Sequence, residues 1–222
     1  SPYTLGTAYL AANQLGQDMA TTASVNYTMP LATVSGGSGY GVGRLDIAGK
    51  ATLSNIGSFT GTLKLTTATE NGASPAYVRT IPGVLEVSNG FGTASSVVNN
   101  GLLIISGATS STLSAPITGT GAVHKYGSGT ITFDQAVTYS GETLVGAGGL
   151  TLNSTYGSSL HTILSGATLT LDAAAGDRDY ATTTFRGAGT LAKTGANRAL
   201  WGTSVATFAL GTGSMIDVQA GI

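Results

Sequence analysis

The densest group of ionisable side chains is Asp172, Asp177, Arg178, Asp179 and Arg186. Three carboxylates within eight residues are the donor type that calcium takes. Two carboxyls on one face, with an arginine beside them, would also suit acid–base cleavage of a glycosidic bond. The same segment reads as a turn, Gly176-Asp177-Arg178-Asp179, in which aspartates bond to their own backbone. Its spacing does not fit the D-x-[DN]-x-[DN]-G calcium loop. A solvated turn with local ion pairs therefore leads. A calcium site on Asp172, Asp177 and Asp179, and a catalytic aspartate beside Arg178 or Arg186, stand as its alternatives.

Other chemistry is sparser. His124 and His161 are the two histidines, and there is no cysteine, so no metal-ligand spacing and no thiolate nucleophile exist. No G-x-S-x-G elbow marks a serine nucleophile. The glycine-rich run at 35–43 is not followed by a phosphate-loop lysine and reads as turns. Aromatics are more suggestive: Tyr126, Tyr139, Tyr156, Tyr180, Phe185 and Trp201, stacked on one exposed face, would form a platform for sugar rings, with Tyr139, Tyr156 and Tyr180 as the ligand contacts. In the competing reading Phe133, Phe185 and Trp201 fill the core and the tyrosines take corners. Lys125 and Lys193 recur in equivalent contexts, which points to a structural corner with the stem over apolar surface and the charge outside.

These residues need a frame, and composition restricts it. The 222 residues are 41% hydrophobic and only 9% charged, so the chain folds rather than staying disordered. Glycine accounts for 34 residues, about twice its usual share. Small residues and dense turns indicate many short strands. A net charge of −1 with no basic patch argues against nucleic acid as a partner. No apolar run is long enough for a membrane helix, so the chain is not expected to insert into a membrane. No signal peptide is recognisable at the first residues, and the last twelve stop within a pattern, so the natural polypeptide is expected to continue or to be processed there.

Residues 1–30 differ from the rest. Ala8, Ala11, Leu15 and Met19 would share a helical face, with Thr7 as N-cap, and could cover the open end of a stack. From 31 onward, strands are predicted at 45–47, 51–53, 61–65, 84–87, 102–105, 130–133, 150–152, 168–171 and 189–193, many just after a glycine. Gly83, Gly101 and Gly121 are 18 and 20 residues apart, which suits a solenoid coil of about 20 residues and not a propeller blade. Residues 66–82, with two prolines, read as a loop leaving one coil.

Gly119, Gly121, Val123, Lys125, Gly127, Gly129, Ile131 and Phe133 are followed by Tyr139, Gly141, Thr143, Val145, Gly148, Leu150 and Leu152. Gly187, Gly189, Leu191, Lys193 and Gly195 repeat the start of that pattern 68 residues later, which defines units at 119–153 and 187–221. The pattern resembles the autotransporter-associated β-strand repeat, or passenger-associated transport repeat. The second unit departs from it where Asn197 replaces a glycine and Thr207 stands where Tyr139 stood. The resemblance implies a right-handed parallel β-helix exported to the bacterial surface or beyond, in a family of adhesins and scaffolds whose repeat is not catalytic.

The expectation is thus an all-β, right-handed parallel β-helix of roughly ten rungs, with a cap at 1–30 and the solenoid at 31–222. Its expected function is structural or adhesive, without a cofactor beyond the calcium alternative, with a glycan or cell-surface partner. A self-associating filament or matrix subunit and a polysaccharide lyase or glycoside hydrolase remain as alternatives.

Overall fold

A computed structural model describes the backbone at 7–10, 27–28, 44–47, 49–53, 62–73, 76–88, 96–154, 156–201 and 207–221, and side chains at 62–66, 82–88 and the last three of those ranges. All described strands but one hairpin pair in parallel, and they line up on three faces. Face A holds Thr7–Leu10, Arg44–Ile47, Thr62–Leu65, Ser96–Asn99 and Ile117–Thr118, and continues through single bridges at Val137 and Tyr156. Arg178–Asp179 pairs with Ala199–Leu200 in the corresponding part of the later turns. Face B runs from Tyr27–Thr28 and Gly49–Leu53 through the end of Ala76–Val87 to Leu102–Ile105, Ala122–Lys125, Thr143–Val145, Leu160–Ile163, Thr184–Gly187 and Thr207–Leu210. Face C comprises Ser111–Leu113, Thr130–Phe133, Gly149–Leu152, Thr168–Asp172, Thr190–Thr194 and Met215–Val218.

From Ser96 the chain visits faces A, B and C in order, six times. The chain is therefore a parallel β-solenoid, with six complete turns among the described residues rather than roughly ten. Two features lower the count. Some turns are longer than 20 residues, as between His161 and its partner Phe185. In addition, 67–82 is not a loop: Thr67–Ala73 pairs antiparallel with the first part of Ala76–Val87, in a hairpin that places Glu70 opposite Arg79. One strand thus leaves the hairpin and enters face B at Gly83, opposite Gly49.

Alternation decides which side of each strand faces in, because successive side chains point to opposite faces of a sheet. On face B the inward column is Leu103, Val123, Thr143, His161 and Phe185. On face C, Ile131, Leu150, Leu169 and Leu191 form one inward column, and Phe133, Leu152 and Leu171 begin another. These side chains are almost fully buried. Stacked at the same height in each turn, they make one continuous core, and burying each large aliphatic contributes roughly 1.5–3 kcal/mol.

The glycine spacing has a steric cause at the corner entering face B. A Cβ on Gly101 would lie 1.9 Å from the Gly83 carbonyl oxygen, and one on Gly121 2.3 Å from that of Gly101. Gly141 continues the column, 2.3 Å from the Gly121 oxygen. The backbone of one turn rests on the backbone of the turn before, and only glycine fits.

The 68-residue repeat is local. Gly119 and Gly187 share φ values of 111° and 108°, and Gly127 and Gly195 share 79° and 76°. Yet Val123 lies on face B and Leu191 on face C. The second copy falls three turns and one face further on, so the repeat encodes a turn–strand–turn unit that can be used on either face. Of the expected N-terminal helix, Thr7–Leu10 is instead a strand paired with Arg44–Ile47, and 11–19 lies outside the described residues.

Candidate functional site

The expected site residues are placed as follows. Tyr139 and Tyr180 are core residues, 1% and 2% exposed, so they cannot form a solvent-facing platform. Tyr139 is held by a 2.7 Å hydrogen bond with the Thr143 hydroxyl. Tyr156, half-buried, stacks on Tyr180 at 4.9 Å, and Tyr180 stacks on Trp201 at 5.2 Å. The Tyr156 hydroxyl donates to the Asp179 carbonyl at 3.0 Å. These three rings form one internal ladder. His161, Phe185 and Phe208 form a second beside it, at spacings of 5.2 and 5.7 Å. The ladders replace aliphatic core in the last turns. Within them His161 is fully buried with neither ring nitrogen hydrogen-bonded to a described group, and burial pushes its pKa down to about 4, opposed weakly by the Ser158 backbone.

Asp172, Asp177 and Asp179 do not converge as a metal site would require. Asp172 accepts from the Ala174 amide at 3.0 Å and from Thr194, and Asp179 accepts from the Ala181 amide at 2.9 Å. Asp177 takes the Arg198 amide, Nε and Nη2 at 2.9, 3.0 and 2.7 Å. This arginine one turn on, rather than Arg178 or Arg186, is its partner, and its hydrogen bonds hold the Asp177 carboxyl below the usual range. Among the described residues no three carboxylate or imidazole groups come together in a metal-binding arrangement. The segment is a turn with local bonds and an ion pair between turns.

The lysines also differ from expectation. Their ammonium groups lie inside the corners, not in solvent. Lys125, fully buried, donates to the carbonyls of Tyr126, Gly127 and Ala147 at 2.6, 2.8 and 3.3 Å. Lys193, 3% exposed, donates to those of Gly195, Asn197 and Ala220 at 2.6, 2.5 and 2.5 Å. Three donors meet three carbonyls that the strand ladder cannot pair, and the left-handed glycine in each turn aims one of them inward. Burial lowers the Lys125 pKa.

The side chains that do assemble at the surface are outward residues of face B. Arg186 Nε donates to Thr162 Oγ1 at 2.7 Å and Nη2 to Glu142 Oε1 at 3.1 Å. The Thr162 hydroxyl donates to the same carboxylate oxygen. Burial opposes the Glu142 charge, but the hydrogen bonds from Thr162 and Arg186 and the charges of Arg186 and His124 outweigh it, so its carboxyl titrates below the usual range. Burial keeps His124 below its ordinary pKa, with Glu142 pulling the other way.

Tyr126 stands edge-on to His124, with ring centroids 6.2 Å apart, and is 38% exposed. It lies over Gly146, where a Cβ would fall 2.4 Å from its ring. Leu164, also exposed, follows on that corner one turn on. The cluster offers a fixed carboxylate, a guanidinium with donors to spare, an imidazole and a flat phenol on a rigid sheet. That combination can hydrogen-bond hydroxyls and stack on a ring. With one carboxylate it is not the paired-carboxyl arrangement of glycoside hydrolysis.

His124 and Tyr126 were visible in the sequence as polar-phase and aromatic residues. Glu142 carries no local sequence signal, and Arg186, close in sequence to Asp172–Asp179, pairs instead with Glu142. The signal that joins them is a separation of one turn: 20 residues from Glu142 to Thr162 and 24 from Thr162 to Arg186.

Fold and site together define a parallel β-solenoid with a polar and aromatic cluster on one face. No protein-family model, curated protein or solved structure matches the chain.

Proposed function

We propose that the chain is a non-enzymatic structural or adhesive solenoid of the bacterial cell surface or extracellular space, of the autotransporter-associated repeat type, and that it binds glycans on face B. The observation that carries the reading is the exposed Tyr126 ring packed against Gly146 and reaching the Glu142–Thr162–Arg186 cluster through His124. A sugar ring stacked on the phenol would bring its hydroxyls to hydrogen-bonding groups already oriented by one another, which lowers the cost of ordering them. The caged lysines and stacked glycines support a scaffold role, since both serve to hold a rigid rod. A glycan array read with the intact chain tests this. Binding should appear for a set of neutral or hydroxyl-rich glycans and should be lost in Tyr126→Ala and Arg186→Ala variants that keep the β-sheet circular dichroism spectrum. An array without signal, or variants that bind like the parent, rejects the glycan reading.

A further inference from the structure

We propose that the outward surface of face C is a second binding surface, and that its ligand is the face of an ice crystal. It is independent of the glycan reading, being built from other residues on another sheet.

Two outward columns carry it. One is Thr130, Gly149, Thr168 and Thr190, preceded by Ser110, whose hydroxyl accepts from the Thr130 amide; the other is Thr112, Thr132, Thr151 and Thr170, and it closes at Ala192, which is itself buried. Pairing is in register through these turns, so the residues form a grid. Spacing is roughly 4.8 Å between strands and roughly 6.6 Å between alternate residues along a strand. The inter-strand repeat is close to the short repeat between equivalent oxygens on the prism face of hexagonal ice, and the repeat along the strand falls somewhat short of the one perpendicular to it. Threonine is restricted at χ1 by its branched Cβ, so each presents a hydroxyl and a methyl in few orientations.

The hydroxyls are available. Those of Thr112, Thr132, Thr151, Thr168, Thr170 and Thr190 make no hydrogen bond to any described residue, whereas Thr162 on face B is bonded on both sides. Each free hydroxyl offers one donor and two acceptor positions. Ordered water bridging such groups is nearly as favourable as direct bonding. The columns hold no charged side chain from Ser110 to Ala192, so nothing in them imposes a competing hydration shell. The gap at Gly149 is narrowed by Thr130, whose Oγ1 would lie 2.6 Å from a Cβ there. Met215 and Asp217 end the array on the last turn.

A solid that repeats in two directions uses both columns at once. A single glycan chain would follow one line and would gain from an aromatic stack, which these columns lack. The in-register, uncharged hydroxyl–methyl grid therefore favours ice.

The test uses the intact chain in thermal-hysteresis and ice-shaping measurements. The parent protein should hold a gap between freezing and melting and facet growing crystals. Thr132→Tyr and Thr151→Tyr, which place bulk in the middle of the grid, should abolish both. Thr151→Lys should do the same through charge. Leu200→Tyr, on face A, should leave them intact, with circular dichroism confirming the fold of each variant. A folded parent without hysteresis or faceting overturns the proposal, as do tyrosine variants that retain full activity. Retention on crystalline cellulose or chitin that the same variants lose, without any effect on ice, would also overturn it and reassign the face to a polysaccharide.

Discussion

Faces B and C are built alike, each a parallel ladder over the same core with the same alternation, yet their outer surfaces use polar groups differently. On face B, Glu142, Thr162 and Arg186 spend their hydrogen bonds on one another. On face C a larger set of hydroxyls makes no hydrogen bond to any described residue. A parallel stack copies whatever stands at one position into the next turn. Repeating one residue type thus yields a lattice, as on face C. Breaking the repeat yields a unique cluster, as on face B, where successive outward residues are His124, Leu144, Thr162 and Arg186.

The strongest way to break this comparison is at the corner that joins the two faces. Lys125→Met keeps the length and burial of the side chain but leaves the Tyr126, Gly127 and Ala147 carbonyls without their donor. Unsatisfied buried acceptors cost about 1–3 kcal/mol each, and non-additivity brings the expected total to about 3–5 kcal/mol. Urea denaturation should show a lower midpoint, and hydrogen exchange should show faces B and C losing protection together. Loss confined to one face would mean that the corner does not couple them.

A smaller effect comes from inside face B. His161 is neutral when folded, with its pKa lowered to about 4 from an ordinary 6.5, while the unfolded chain binds a proton near the ordinary value. Its stability contribution is therefore complete above pH 6.5 and falls away as pH drops towards 4. Taking about 1.36 kcal/mol per unit, the loss approaches about 3 kcal/mol. His161→Phe, stacked on Phe185, should flatten the stability curve over that window. An unchanged slope in that variant would place the acid sensitivity elsewhere.

Much of this frame can be read from residues, but not evenly. Leu102–Ile105 and Thr130–Phe133 are legible because large apolar side chains alternate with others between glycines. Thr143–Val145 and Leu160–Ile163 are obscure because their inward column carries Thr143 and His161, which a period-two reading assigns to the outside. The lysine cage is equally hidden: sequence shows a recurring lysine, while its direction depends on carbonyls freed by the turn. The 68-residue repeat revealed the local unit but not its face, since turn length varies. The surface cluster has no local signature at all. Its members meet only after the chain has gone once round the solenoid.

The finest comparison applies one substitution to both faces. Thr162→Val and Thr151→Val each exchange a hydroxyl for a methyl on an outward strand position, buried at Thr162 and half-buried at Thr151. On face B the hydroxyl bridges Arg186 and Glu142, so its loss removes a donor and an acceptor from a charged network and should cost about 1 kcal/mol, moderated by solvent exposure. On face C the Thr151 hydroxyl has no partner among the described residues, and valine suits a strand at least as well, so stability should stay within about 0.5 kcal/mol of the parent. Thermal melts of the two variants side by side would read this difference. Equal losses would show that the face C hydroxyls are held by the protein after all. A neutral Thr151→Val that nevertheless weakens ice faceting would separate what the hydroxyl grid does for a ligand from what it does for the fold.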